Sequence, residues 1–261
     1  MRPMRVAQRP GQWVMRTMRR RWGLLAALAL ALAGPATARG TESLDSMAER
    51  TRACTACHGE QGRAGPDGYY PRIAGKPAGY LHNQLRNFAA GQRHYEPMAR
   101  LLATMDDTYM RQIAEHFASQ HPPFAPPVPA RLPAERRARG EALARRGDPS
   151  LGIPACADCH GERLTGVEPH VPGLLGLPLD YLNAQLGAWL NAQRRARPPD
   201  CMAEVVRRLP HPDLVAVTGW LASQPVPADA RPAPRPGRPP SDPAWHCGSA
   251  PELSRADRTQ P

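Results

Sequence analysis

Apolar positions return at helical spacing through most of the chain. Leu101, Leu102, Met105, Tyr109, Ile113 and Phe117 recur every one to four residues, and this stripe predicts an amphipathic helix over roughly 99–120. A matching helix is predicted over 203–224, and both end in Ala-Ser-Gln. Shorter helical stretches are expected at 44–51 and 134–146. No alternation of strand type surrounds the segments between them, so the expected fold is all-α, with little or no sheet.

The same order of residues occurs twice. In the first half Pro71-Arg-Ile-Ala-Gly75 is followed by Tyr80-Leu81-x-x-Gln84-Leu85 and Phe88. In the second, Pro172-Gly-Leu-Leu-Gly176 is followed by Tyr181-Leu182-x-x-Gln185-Leu186 and Trp189. The chain therefore divides into two tandem helical domains, 39–122 and 134–224. A Pro-rich linker at 123–133 joins them, beginning within an extended run that starts at His121. Residues 225–261 are also Pro-rich and almost without apolar periodicity, so little regular structure is expected there.

Ahead of both repeats, residues 1–21 hold seven arginines and no acid. An apolar run over 22–33 and an Ala-x-Ala site at Ala36-Thr37-Ala38 follow. The run is too short to span a bilayer and suits a secretory signal peptide over 1–38, with an uncleaved anchor as the alternative. Export to the periplasm is the expectation. The leader also distorts the charge. The whole chain is formally +11, but after residue 38 there remain 27 basic residues against 23 acids, which is +4. That balance does not argue for a nucleic-acid partner.

Each repeat opens on the chemistry-bearing motif Cys-x-x-Cys-His: Cys54, Cys57 and His58, then Cys156, Cys159 and His160. This is the attachment signature of c-type haem. The two sulfurs form thioether links to the haem vinyl groups, and the histidine following at once can place its ring under the iron. Structural zinc sites also use paired Cys-x-x-Cys, but with pairs roughly 15–20 residues apart; here Cys57 and Cys156 are 99 positions apart. Two covalently bound haem c groups are the expected cofactors. A domain of roughly 85–90 residues has a marginal core, and a large flat apolar group supplies what it lacks.

The sixth iron ligand is expected to be methionine, Met98 in the first half and Met202 in the second. Both follow Pro-containing loops just before a helix. Met105 fits the apolar stripe and reads as core instead. His94 and His170 have no counterparts at matching positions, which favours surface roles. The carbonyls of Pro71 and Pro172 could accept the Nδ1–H of the proximal histidines, or these could be plain turn prolines. Four of six cysteines are assigned to haem. Cys201 and Cys247 remain, either as a disulfide pinning the tail beside the second haem or as two separated thiols. Thiolate ligation of iron by Cys201 is a third alternative.

Together these residues resemble the dihaem cytochrome c4 family over about 45–224. The resemblance rests on the two Cys-x-x-Cys-His-Gly motifs, the Pro-x-x-x-Gly and Tyr-Leu-x-x-Gln-Leu segments, Gly91-Gln-Arg93 before Met98, and Gly152-Ile-Pro-Ala-Cys156. It implies two class I cytochrome c domains with His58/Met98 and His160/Met202 iron. It also implies a periplasmic carrier, soluble or loosely membrane-associated, that serves respiratory oxidases or reductases. The chain departs from the family at Arg194-Arg-Ala-Arg-Pro-Pro-Asp200, where an Arg-x-Asn-Asp pattern is usual. The expected function is one-electron transfer in a respiratory chain, with no substrate transformed. The alternatives are an electron-transfer subunit of a dehydrogenase or sulfur-oxidising complex and, further off, a dihaem peroxidase, which would need an iron open to peroxide.

Overall fold

Two helices of equal length occupy matching places in the first and second repeats. α3 (Ala78–Ala89) and α8 (Leu179–Leu190) each begin after a proline, whose fixed φ suits the entry to a helix. In a computed structural model that describes residues 45–65, 68–127, 131–234, 236–237, 240 and 242–253, these two helices are embedded in a sequence of short elements. The first half has α1 (Met47–Arg50), α2 (Arg52–His58), α3, α4 (Glu96–Leu102) and α5 (Asp107–Ala118). The second half has α6 (Ala134–Arg146), α7 (Cys156–His160), α8, α9 (Cys201–Arg208) and α10 (His211–Ser223). The expected signal peptide and part of the linker lie outside the described residues. Among the described residues, no helix is long and apolar enough to cross a membrane.

The helices expected over 99–120 and 203–224 are each broken in two. In the first half α4 stops at Leu102, and Asp106 starts the next helix: its carboxylate accepts the backbone N–H of Tyr109 at 2.7 Å and caps α5. In the second half Pro210 has no N–H to donate and disfavours helical backbone at Leu209, so α9 stops and α10 begins anew. The apolar stripe crosses both breaks, which is why its periodicity alone reads as a single helix.

α3 packs on α5, burying Leu81 against Ile113, Ala114 and Phe117, with Met105 packed on the same cluster. Burying side chains of this size is worth about 1.5–3 kcal/mol each. In the second half α10 packs on both α6 and α8, and eight of its residues from Leu214 to Ala222 are buried. The α6–α10 crossing is close because Gly140 faces the backbone of Ala216; a Cβ there would collide with that carbonyl. Strands β1 (Gly166–Val167) and β2 (Val171–Pro172) form a small antiparallel pair, with Gly166 opposite Pro172 and Val167 opposite Val171. Among the described residues the named elements are otherwise helical.

From Asp45 onward the chain forms one compact unit. Its two repeats meet along a seam where the backbones of residues 92–94 and 193–195 run antiparallel. His94 N–H donates to the Gln193 carbonyl, and Arg195 N–H to the Gln92 carbonyl, both at 2.7 Å. The linker is held by Arg72, which is buried. Its guanidinium donates to the carbonyls of Ala74, Pro122 and Pro123 and stacks 3.8 Å from the Phe124 ring centroid.

The C-terminal segment departs from expectation in one respect. Among its described residues it has little regular structure, with 3₁₀ turns at Pro243–Trp245 and Pro251–Leu253, but it is packed. Trp245, Ala250 and Leu253 are buried. Composition hides this because the contacts are made by isolated apolar residues between prolines, without a period.

Candidate cofactor sites

Both histidines of the twin motifs end a short helix and are buried. Each is followed by a glycine with positive φ, Gly59 at 75° and Gly161 at 86°. A Cβ at Gly59 would lie 2.5 Å from the Ala64 carbonyl oxygen, and one at Gly161 would lie 2.9 Å from that of Gly166. The chain thus turns back on itself at once and brings a proline carbonyl over each ring. His58 Nδ1 lies 2.9 Å from the Pro71 oxygen and His160 Nδ1 lies 2.8 Å from that of Pro172. A carbonyl only accepts, so Nδ1 carries the proton and Nε2 is left with its lone pair free for a metal. Burial lowers the pKa of both imidazoles and so favours the neutral form a metal needs.

A partly open apolar cavity of about 210 Å³ lies mainly in the second half, with Lys76, Tyr80, Asn83 and Gln84 of the first half also lining it. Cys156, Cys159, His160 and Met202 line it together, with Leu182, Trp189 and Val206 among its walls. A motif cysteine pair, a histidine with Nε2 free and a methionine around one apolar space fit a haem. In the first half Cys54 packs against the α3–α5 core, while Cys57 is exposed. Met98 is half-buried in the first turn of α4, whereas Met105 packs on the α3–α5 core cluster. Met110 is buried on α5. Among the described residues no cluster of three or more histidine, cysteine, aspartate or glutamate side chains is arranged to hold a metal ion directly.

Cys201 and Cys247 form a disulfide, with Cα atoms 5.5 Å apart. This settles the alternatives open in the sequence and leaves Cys201 with no thiolate to offer iron. His170 also acquires a role unread in the sequence: its ring Nδ1 lies 3.0 Å from Glu252, and its backbone N–H donates to the same carboxylate.

Pattern reading also missed the seam. Arg93 donates to Gln84 in its own half and to Tyr181 and Gln185 in the other. Arg194 mirrors it, donating to Gln185 in its own half and to Tyr80 and Gln84 across. Each guanidinium lies over an aromatic ring of its own half, Arg93 over Phe88 and Arg194 over Trp189. The repeated Tyr-x-x-x-Gln and Gln-Arg pairs were the available signal. Lys76 lies close by, and burial lowers its pKa and that of Arg194. Among the described residues no carboxylate is ion-paired with these three cations. Haem carries two propionate carboxylates, so an unpaired cationic seam between two haem sites suits that cofactor.

Helical halves built around Cys-x-x-Cys-His motifs, each imidazole braced by a proline carbonyl, define a class I c-type cytochrome with two haems. No family model matches the chain. Individual proteins do. It is 38% identical over 174 residues to a thiosulfate dehydrogenase electron acceptor of Thiomonas intermedia, covering 66% of this chain and 79% of that one. It is 31% identical over 198 residues to cytochrome c4 of Pseudomonas aeruginosa, covering 74% of this chain and 94% of that one. The crystal structure of reduced cytochrome c4 from Pseudomonas stutzeri aligns with a TM-score of 0.59 at 27% identity, over 67% of this chain and 95% of that one. The chain belongs to the dihaem cytochrome c4 family. It carries two covalent haem c groups and acts as an electron carrier.

Proposed function

We propose that the protein is an exported periplasmic carrier that accepts electrons from a thiosulfate-oxidising dehydrogenase and passes them toward a respiratory chain. It transforms no substrate itself. The reading of its chemistry is carried by the matched bracing of His58 and His160 in the two halves. The donor class is supported by the 38% identical relative, whose name describes an acceptor for that enzyme. Export is supported by the arginine-rich start, the apolar run and the Ala-x-Ala site ahead of the motifs.

In this reading Cys54 and Cys57 hold the first haem and Cys156 and Cys159 the second. His58 with Met98, and His160 with Met202, would supply the protein ligands to each iron. Bound haem supplies a one-electron couple at iron. The residues do the rest. Pro71 and Pro172 fix the ring orientation and raise imidazole basicity. With a histidine and a methionine both committed to each iron, no position would be left open for peroxide or another substrate, which separates a carrier from a dihaem peroxidase. Arg93, Arg194 and Lys76 offer positive charge at the seam, where propionates would be neutralised. The two domains of this reading are 39–122 and 134–224, and its membrane contact is no more than a loose association.

The test is a visible spectrum of the matured protein with haem quantitation, followed by mixing with thiosulfate and a purified thiosulfate dehydrogenase. Two low-spin haems per chain with the methionine–iron charge-transfer band, reduced only when both enzyme and thiosulfate are present, are expected. A high-spin ferric haem that binds cyanide readily contradicts the carrier. Reduction by other dehydrogenases but not by this one contradicts the donor.

A further inference from the structure

The two motifs differ at one matched position. Cys57 is exposed, whereas Cys159 is half-buried. Cys159 and Cys247 pack against a cluster of Val167, Val171, Ala250 and Leu253, of which the last two come from the C-terminal segment. Trp245, Cys247, Ser249, Ala250 and Leu253 also line the cavity that holds His160 and Met202.

This segment is fastened at several points. The disulfide joins Cys247 to Cys201, the residue before Met202. Gly248 N–H donates to the Pro199 carbonyl at 3.0 Å, and Arg197 N–H to Ser249 Oγ at 3.1 Å. Glu252 holds both the backbone and the ring of His170. Upstream, Ala233 exchanges backbone hydrogen bonds with Gly166 and Glu168 beside β1. On the Cys57 side the neighbouring aromatic cluster is partly exposed. Tyr69 packs edge-on against Tyr70 and Tyr95 and is 62% exposed.

We propose that residues 245–253 form a strap that closes the thioether edge of the second haem to partner proteins, so that partners exchange electrons at the edge beside Cys57. This rests on the reading that haems are attached at both motifs. Electron transfer between proteins falls off steeply with the distance between cofactor edges, and a packed layer of side chains adds distance on one side only. The exchange moves one electron and no atoms: a reduced donor is oxidised by one unit as the first iron goes from ferric to ferrous. The second iron is reduced in turn as the first returns to ferric. The second haem is then reached through the seam.

The experiment is NMR of the matured, fully reduced, ¹⁵N-labelled protein titrated with a reduced monohaem class I cytochrome c. The visible spectrum beforehand counts haems, so failure of attachment is seen separately. Amide shifts are expected around Cys57, Tyr69 and Tyr95, with none at 245–253 or 156–172. In protein with both Cys201→Ser and Cys247→Ser, faster hydrogen exchange at 245–253 reports an opened strap. Shifts then appear around Cys159 as well, and the second-order rate of reduction by the same donor rises about two-fold as a second docking face opens. If exchange in that variant is unchanged, truncation after Pro240 removes the strap outright and takes its place. Shifts centred on the strap, or on neither haem edge, overturn the proposal. So does an opened or truncated strap that gains no contact at Cys159.

Discussion

The two halves share a motif, a helix order and a braced histidine, yet they solve stability differently. The first half relies on a compact α3–α5 pair centred on Phe117. The second has a longer N-terminal helix, a helix buried nearly all round, a small sheet and a disulfide-fastened strap. A repeated cofactor site therefore fixes the parts that touch the cofactor and leaves the outer layers free to diverge. The first half stays open at its cysteine edge, and the second is wrapped.

The largest expected effect is on the two methionines proposed as iron ligands. Met98→Ala and Met202→Ala should each remove half of the methionine–iron band and lower one midpoint potential by a sizeable fraction of the roughly 0.8 V that axial ligands command. Spectra and redox titration of the two variants would assign one potential to each half. If neither band nor potential changes, the pairing of the halves with these methionines is wrong.

Next in size is the core. Phe117→Ala should cost about 3–5 kcal/mol, and its repeat counterpart Leu221→Ala about 2–5 kcal/mol. Denaturant unfolding followed at the haem should show the first-half variant as the more damaged, because its side chain is larger and 2% exposed. Equal losses would mean that the second half's extra layers add nothing to its core.

A smaller effect is expected at the seam. Arg194→Ala removes three hydrogen bonds and a stacked ring from a buried guanidinium, a loss of about 2–3 kcal/mol. Arg93→Ala should cost less, since Arg93 is the less buried of the two. Thermal unfolding of both variants checks the order.

The smallest effect is in acid. Hydrogen bonds from Ser150, followed by those from Arg139, lower the Asp148 pKa to about 2. A carboxylate depressed in the folded state contributes stability that is fully present above its unfolded pKa and lost as pH falls toward 2. Asp148 lies in the second half, and Ser46 stands near the matching place in the first. Acid titration between pH 4 and 2 should weaken the second half more, and Asp148→Asn should flatten that difference.

Much of this was legible in the sequence where the signal was local or repeated. Two Cys-x-x-Cys-His motifs located the cofactors, and the matched Pro71 and Pro172 marked the carbonyls that brace the histidines. Met105 read as core because its spacing placed it on the stripe. The helix breaks were missed because apolar periodicity runs through them, although Asp106 and Pro210 were there to be read as a cap and a stop. The seam was missed for a different reason. Arg93 and Arg194 look like solvated charges until a partner half brings glutamines and tyrosines to them. The strap was the least legible, because Trp245, Ala250 and Leu253 are apolar residues without a period, and only the spare cysteines hinted that the tail returns.

The brace on each imidazole is a main-chain oxygen, and this has an evolutionary consequence. No codon change can delete a peptide carbonyl, so that half of each iron's surroundings is shielded from drift and nearly the same in both repeats. Adaptation of this protein to a donor or acceptor of different driving force must then proceed on the opposite face of each haem and in how tightly the chain wraps it.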